Sequence, residues 1–519
     1  MREMAGAVMA RRIDLRGYEG LSMYVGDLHS HCGISYGHGS VEEAYANAAL
    51  QLDFASVTGH AFWHDMPRDD PRLAPVVAFH KRGFTRLAAC WAEVQELTAA
   101  VHEDGRFVSF LSFKWHSSSA GDRCVYYKGA SGELILSNSL RALHAALRDR
   151  HARGIEMLAL PHHLAYRRGF RGVDWDQFDP EFAPVAEIVS MHGCGESDEG
   201  PRPYLHVMGP RDGQSTAEAG LRCGHRFGFI GSTDHHSAYP GSFGYGRACV
   251  WAERLDRDGI WEALCSRRTY AVTGDPILLA VTLNGAVMGS VVPPVRERQL
   301  SVRVRGWAPI ECVEVVRSGA VIERAAPARR LLGASGAFSG TVPLAVGWGH
   351  RRERQRWDLT VAVTGGVLQA VVPRLRGADI VMPDESPPES YAISSWGRGA
   401  PGAVWLRTET IGNANVVTDN SQGLVLYLTG DDRTIISVRV DGLCHDVRLG
   451  DLRRGAVVTY LDGLESAAFV LGRAVPDEEL RVDLELTDEG EAADWYYVRV
   501  RQVNEQWAWS SPIWVGAAL

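Results

Sequence analysis

Gly26-Asp27-Leu28-His29-Ser30-His31 is the stretch whose reading decides the rest of the chain. The residues before it, Leu21 to Val25, read as a short buried strand, and in a strand residues two apart point to the same face. His29 and His31 therefore project side by side at the strand end, where two imidazoles can grip one divalent cation. A lone His-x-His is weak, because core and surface histidines produce it by chance. Its weight comes from other residues that repeat the placement.

Outward from that stretch the first half alternates strand and helix patterns. Val41 to Leu50, opened by Ser40 as a cap with Glu42 and Glu43 in its first turn, is a helix, and Phe54 to Thr58 is a strand ending at Gly59-His60. A long helix follows from Phe84 to His102, then a strand from Phe107 to Phe113, a helix from Leu140 to Arg153 and a strand from Glu156 to Leu160 that ends at Pro161-His162-His163. Val185 to Ser190 ends at Met191-His192, and Phe227 to Gly231 runs into Ser232-Thr233-Asp234-His235-His236. Such alternation predicts an α/β parallel sheet or barrel. His29, His31, His60, His162, His192, Asp234 and His236 each fall just past a strand's C-terminal end, the face on which an α/β barrel gathers its active site. Asp234, a carboxylate among imidazoles, is the candidate to hold a metal and orient a water, and so a catalytic candidate.

Composition narrows the function classes. A chain of 519 residues calls for two or three domains, and 45% hydrophobic with 23% charged residues is ordinary for a soluble protein. A net charge of -9 and the absence of a long basic run argue against nucleic acid as a partner; Arg351-Arg352-Glu353-Arg354-Gln355-Arg356 is short and broken by an acid. Nine scattered cysteines with no Cys-x-x-Cys pair fit reduced thiols in the cytoplasm. The first twenty residues lack a secretory pattern, and no segment offers about 18 consecutive apolar residues, so no membrane is expected.

Arg167, Arg168 and Arg171, in the Gly-rich loop after His162 and His163, have two readings: a clamp for an anionic substrate, since guanidinium matches phosphate or carboxylate oxygens, or plain surface charge. Arg247, after the run Gly241 to Gly246, has the same two. From Pro276 onward the texture becomes short apolar runs separated by turn signals, which predicts an all-β region over 276–519, one or two sandwich-like domains, with Pro383 to Ser390 as a loop. Trp348, Trp357, Trp507, Trp509 and Trp514 there read either as core or as a platform for a glycan.

The strings GDLHSHCGISYGHGS, LDFASVTGHAFW, ALPHHLAYRRGFRGVDWD, SMHGCGESDEG and RFGFIGSTDHHSAYPGSFG resemble the PHP (polymerase and histidinol phosphatase) metallo-hydrolases, and more closely the DUF3604 branch. The resemblance covers most of residues 21–290 and resumes at DWYYVRVRQVNEQWAWSSPIWV. It implies a distorted (β/α)7 barrel over 1–275 that holds divalent ions, usually manganese, zinc or iron. It makes His29, His31, His60, His162, Asp234 and His236 metal ligands, His38 a further ligand candidate, and leaves His192 a site residue without a fixed role. The activity implied is hydrolysis of a phosphoester or related ester, on a small or glycan-like anionic substrate. The alternatives are carbohydrate, carbamate or carboxylic-ester chemistry on the same barrel, and a binding protein with a degraded site.

Three places depart from the pattern. Gly59 stands where an aspartate is common, Lys114 aligns with the bridging glutamate, and the histidine usual some ten residues later falls near Asp122 to Cys124, where the chain has none. An ammonium beside cations is repelled, so Lys114 is expected to point away, the other courses being loss of its proton or N-carboxylation. One or two metal ions per chain are then expected.

Overall fold

The computed structural model describes residues 11–327, 336–378, 391, 393–413, 415–416, 419–440, 442–490 and 493–516. The predicted Pro383-to-Ser390 loop lies outside the described residues. In chain order the first half contains β1 (Ser22–Asp27), α1 (Val41–Ala48), β2 (Phe54–Ala55), β3 (Thr58–Trp63), α2 (Ala74–Ala100), β4 (Val108–Ser109), β5 (Leu111–His116), β6 (Arg123–Tyr127), α3 (Leu140–Ala152), β7 (Met157–Pro161), β8 (Val185–Ser190), β9 (Gly193–Cys194), α4 (Ala217–Arg222), β10 (Gly228–Gly231), β11 (Arg247–Ala252), α5 (Arg257–Cys265) and β12 (Thr269–Val272). Helix α1 begins as its sequence requires: Ser40 accepts from the Glu43 amide, and the Glu43 side chain returns to the Ser40 amide.

These elements do not close into the expected (β/α)7 barrel. The described chain is 40% strand and 16% helix, whereas a ring of alternating units needs a helix for each strand. The strands instead divide among separate sheets. β1, β2 and β4 are parallel neighbours, but β11 pairs antiparallel with β1 and β12 antiparallel with β11. A second sheet runs β3-β5-β6-β7, where β6 lies antiparallel to both its neighbours, and a third runs β10-β8-β9. Among the described residues no sheet returns to its first strand. The reason is visible in the extra strands: β6 and β11 enter without a crossover helix, and an antiparallel neighbour needs none.

The edge left by β12 is taken by the far end of the chain. Trp507–Ser510 pairs antiparallel with β12, and Asp494–Gln502 pairs with Trp507–Ser510, so strands from both halves share one eleven-stranded sheet. Between these lie two further sheets, one built on Phe338–Trp348 and Gln422–Gly430, the other on Arg354–Thr364 and Ala403–Ile411. Val342, Leu344, Leu424 and Leu426 of the first meet Leu359, Val361, Leu406 and Val438 of the second in one buried core, which also takes in Tyr239 from the first half. Trp357, Trp509 and Trp514 are buried in cores, so they offer no open glycan platform. All nine cysteines are free, and among the described residues no helix is long and apolar enough to cross a membrane.

Two buried carboxylates tie the halves. Glu196 accepts from Tyr497 Oη at 2.6 Å, Arg499 Nη1 at 3.0 Å and Trp509 Nε1 at 2.8 Å. Asp275 is fully buried and takes both forks of Arg374 at 2.7 Å, with Gln502 Nε2 at 2.8 Å and Asn504 Nδ2 at 2.9 Å. Removing one partner of such a cluster strands the others without water. Asp275→Ala is expected to cost about 3–5 kcal/mol, the range for a broken buried pair. Urea unfolding checks this, and a loss under about 1 kcal/mol, the value of an exposed pair, would contradict it.

Candidate metal centre

Asp27, at the end of β1, is fully buried and accepts from the amides of His29 (3.1 Å), Thr233 (3.1 Å) and Gly241 (2.8 Å) and from the Thr233 hydroxyl. Burial raises its pKa to about 6, against the pull of those donors. The same carboxylate thus fixes both segments that carry the site. They are laced further by backbone bonds: Asp234 N to His29 O at 2.7 Å, His31 N to His235 O at 2.7 Å and His38 N to His236 O at 2.8 Å. Asp234 and His163 both sit at positive φ, 51° and 55°, conformations that cost about 1 kcal/mol or more outside glycine and that persist where surroundings enforce them.

His29 Nε2, His31 Nε2 and Asp234 Oδ1 converge: the two nitrogens are 3.0 Å apart, and the oxygen lies 3.1 and 2.8 Å from them. Three lone-pair atoms at such distances need a proton or a cation among them. The remote nitrogens are already engaged, His29 Nδ1 by Glu187 at 2.9 Å and His31 Nδ1 by the Thr58 carbonyl. His60 Nδ1 meets Ser35 Oγ at 3.0 Å and His236 Nδ1 meets the Asp234 carbonyl at 2.7 Å. Each of these imidazoles is therefore oriented through Nδ1, the arrangement by which outer groups aim a ligating Nε2.

Among the described residues, five groups have ligand atoms close enough to share an ion: His31, His60 and His236; His29, His31 and Asp234; His163, His192 and Asp234; Asp122, His162 and His163; and His29, Cys124 and His162. Both ring nitrogens of buried His162, and Nε2 of buried His116, have no hydrogen-bond partner among the described residues. Orphaned buried donors and acceptors of this kind call for a ligand. The charge states fit a cation too. Burial holds His31 near 3 and pushes His60, His162, His163 and His236 well below the usual imidazole range, so their lone pairs are free. His29 departs: burial opposes its protonation, but Asp234, Cys124 and Glu187 outweigh it and raise its pKa. Asp234 stays ionised against burial because His29, Lys114 and His192 surround it.

The structure thus brings together His29, His31, His60, His162, His192, Asp234 and His236. His60 lies within β3 rather than beyond it. His38 falls in none of the five groups, and its ring stacks toward Tyr391 at 6.4 Å. Arg171 enters the site, where its Nε donates to Asp122 at 3.0 Å. Arg167 is exposed over Phe170, and Arg168 pairs at the surface with Asp174 and Asp176. Arg247 is buried and committed to the carbonyls of Gly241 and Gly274 and to Gln51, which makes it a structural cation and corrects its reading as a substrate clamp.

Lys114 does not point away. Its Nζ lies 3.3 Å from His29 Nε2, 3.5 Å from His163 Nε2 and 3.8 Å from Asp234 Oδ1, because β5 is buried on both faces and offers no route to solvent. Gly59 has a steric reason: a Cβ there would stand 2.5 Å from Leu87 of α2. The sequence does not mark Asp27, His116, Glu187 or His163 as site residues, although His163 adjoins His162; Asp122 and Cys124 fall where the resemblance places a histidine that this chain lacks.

No known family profile matches the chain. An uncharacterized protein of Chlamydia pneumoniae is 24% identical over 250 residues, 45% of this chain and 40% of that protein. Uncharacterized proteins of Chlamydia muridarum and Chlamydia trachomatis are each 30% identical over 181 and 180 residues. The chain spans well under half the length of these relatives. Among solved structures, a two-domain protein of Bacteroides vulgatus containing a predicted PHP-like metal-dependent phosphoesterase aligns with 86% of this chain and 99% of its own, at 13% identity and a TM-score of 0.31.

His31 belongs to two of the five groups. His31→Ala is expected to weaken divalent-metal binding by about 100-fold or more with an unchanged circular dichroism spectrum, whereas Arg168→Ala leaves binding as it was. Equilibrium dialysis with metal analysis reads both, and wild-type affinity in His31→Ala would remove the residue from the centre.

Proposed function

We propose that the protein is a metal-dependent hydrolase of the PHP type, acting on a small anionic substrate through cleavage of a phosphoester or related ester. The observation that carries this reading is the set of His31, His60 and His236, each held through Nδ1 beside the ionised Asp234. The motif strings in the same residues support the PHP assignment. A divalent ion held there supplies a Lewis acid and draws the pKa of a water toward neutrality.

The chain's own residues supply position and proton movement. Glu187 and the Thr58 carbonyl keep His29 and His31 from rotating, so the donor set is built before anything binds. His192 Nε2 sits 3.0 Å from Asp234 Oδ2, and it is only partly buried where the other clustered histidines are fully buried. An imidazole beside a carboxylate and less buried than its neighbours is suited to deliver a proton to a departing alkoxide. Arg171, buried beside Asp122, adds fixed positive charge that favours an anion over a neutral ester.

The test is hydrolysis by metal-stripped full-length protein after return of Mn²⁺, Zn²⁺ or Fe²⁺, on matched aryl phosphates and aryl carboxylic esters. Phosphoester cleavage is expected to return with metal, and to fall about 100-fold or more in Asp234→Asn, as for loss of a group acting at the metal. Retention of fewer than about 0.2 equivalents of metal, with no rescue by any ion, would overturn the proposal.

A further inference from the structure

Lys114 is a buried lysine inside a ring of candidate metal donors. It stands on β5, where strand pairing sets it beside His60 of β3 and Cys124 of β6. Its Nζ touches three ligand-bearing residues, His29 at 3.3 Å, His163 at 3.5 Å and Asp234 at 3.8 Å. Four of the five candidate groups contain at least one of those three. The group of His31, His60 and His236 contains none.

That partition has a physical consequence. A divalent ion bonds imidazole nitrogen at about 2.0–2.1 Å. An ion so placed on His29 or His163 would lie close against an ammonium only 3.3 or 3.5 Å from the same nitrogens. Like charges at that range in a water-excluded site repel strongly, and Lys114 has no solvent to retreat into, since the residue is 1% exposed. Asp234 supplies the opposite charge that holds the ammonium where it is. Asp122 and Glu187, the other carboxylates of the centre, are already engaged by Arg171 with His116 and by His29.

We infer that the Lys114 ammonium is a built-in cation standing in place of a second metal ion: the protein holds one divalent ion at His31, His60 and His236, and Lys114 offers its N–H groups to an anionic oxygen of the substrate. This rests on the hydrolase reading and specifies how that site divides its charge. It requires no chemical change at the lysine. N-carboxylation would instead consume one CO₂, release two protons from the ammonium, and turn the position from a cation into an anionic oxygen ligand, with a second ion to follow.

The experiment is metal stoichiometry of full-length protein dialysed against Mn²⁺ or Zn²⁺, beside ¹³C NMR after incubation with ¹³C-bicarbonate. Wild type is expected to hold about one equivalent and show no lysine carbamate resonance, while Lys114→Gln and Lys114→Glu rise to about two with native circular dichroism. Two ions in wild type, or a carbamate resonance, overturns the inference and leaves the hydrolase reading standing. Unchanged stoichiometry in folded variants also overturns it. Wild-type protein that binds no ion removes both. The wild-type count and the NMR spectrum decide the matter even where a variant does not fold.

Discussion

The carboxylate of Asp27 is the constraint on which the centre depends. It sits out of reach of water and is satisfied by amides from His29, Thr233 and Gly241, so two segments distant in sequence can take only one relative position. Once that position is set, His29 and His31 face Asp234, and the backbone bonds from Asp234 to His29 and from His31 to His235 follow in register. The left-handed conformation of Asp234 is held by the same lacing. A buried acceptor with a full set of donors specifies geometry more strictly than packing does, because each lost bond leaves a group that cannot find water.

Around this frame the centre is a balance of charge rather than a collection of ligands. Burial strips protons from most of the imidazoles, leaving lone pairs, while Asp234 and Glu187 keep one on His29. Lys114 and Arg171 add fixed positive charge, the second compensated by Asp122. The result is a donor-rich centre flanked by cationic side chains. The β-rich second half belongs to the same construction, since Tyr239 enters its core and Asn47 of α1 donates to the carbonyls of Ala238 and Tyr391.

Much of the centre was legible in sequence because strand ends are local signals: an apolar run followed by His-x-His, Pro-His-His or Thr-Asp-His-His needs no knowledge of partners. Closure of the sheet was not. β6 is buried on both faces, so RCVYY shows no alternation, and nothing in it announces an antiparallel strand between β5 and β7. The same absence of a polar face misdirects Lys114: repulsion from cations argued for an outward side chain, but a strand buried on both sides has no outward direction. Arg247 misled in the opposite sense. Its Gly-rich neighbourhood resembles an anion site, yet the glycines there turn their carbonyls, not their amides, to the guanidinium. His116 gave no signal because its meaning lies in its contacts with Asp122 and Arg171, the latter far along the chain.

The central claim is that a divalent ion belongs among His31, His60 and His236 beside Asp234. Anomalous diffraction from crystals equilibrated with Mn²⁺ or Zn²⁺ locates such an ion without reference to activity. A peak is expected within bonding distance, about 2.0–2.2 Å, of the imidazole nitrogens of those three residues. A principal peak on His29, His163 and His192 instead, or none inside the ring of histidines at saturating metal, would contradict it.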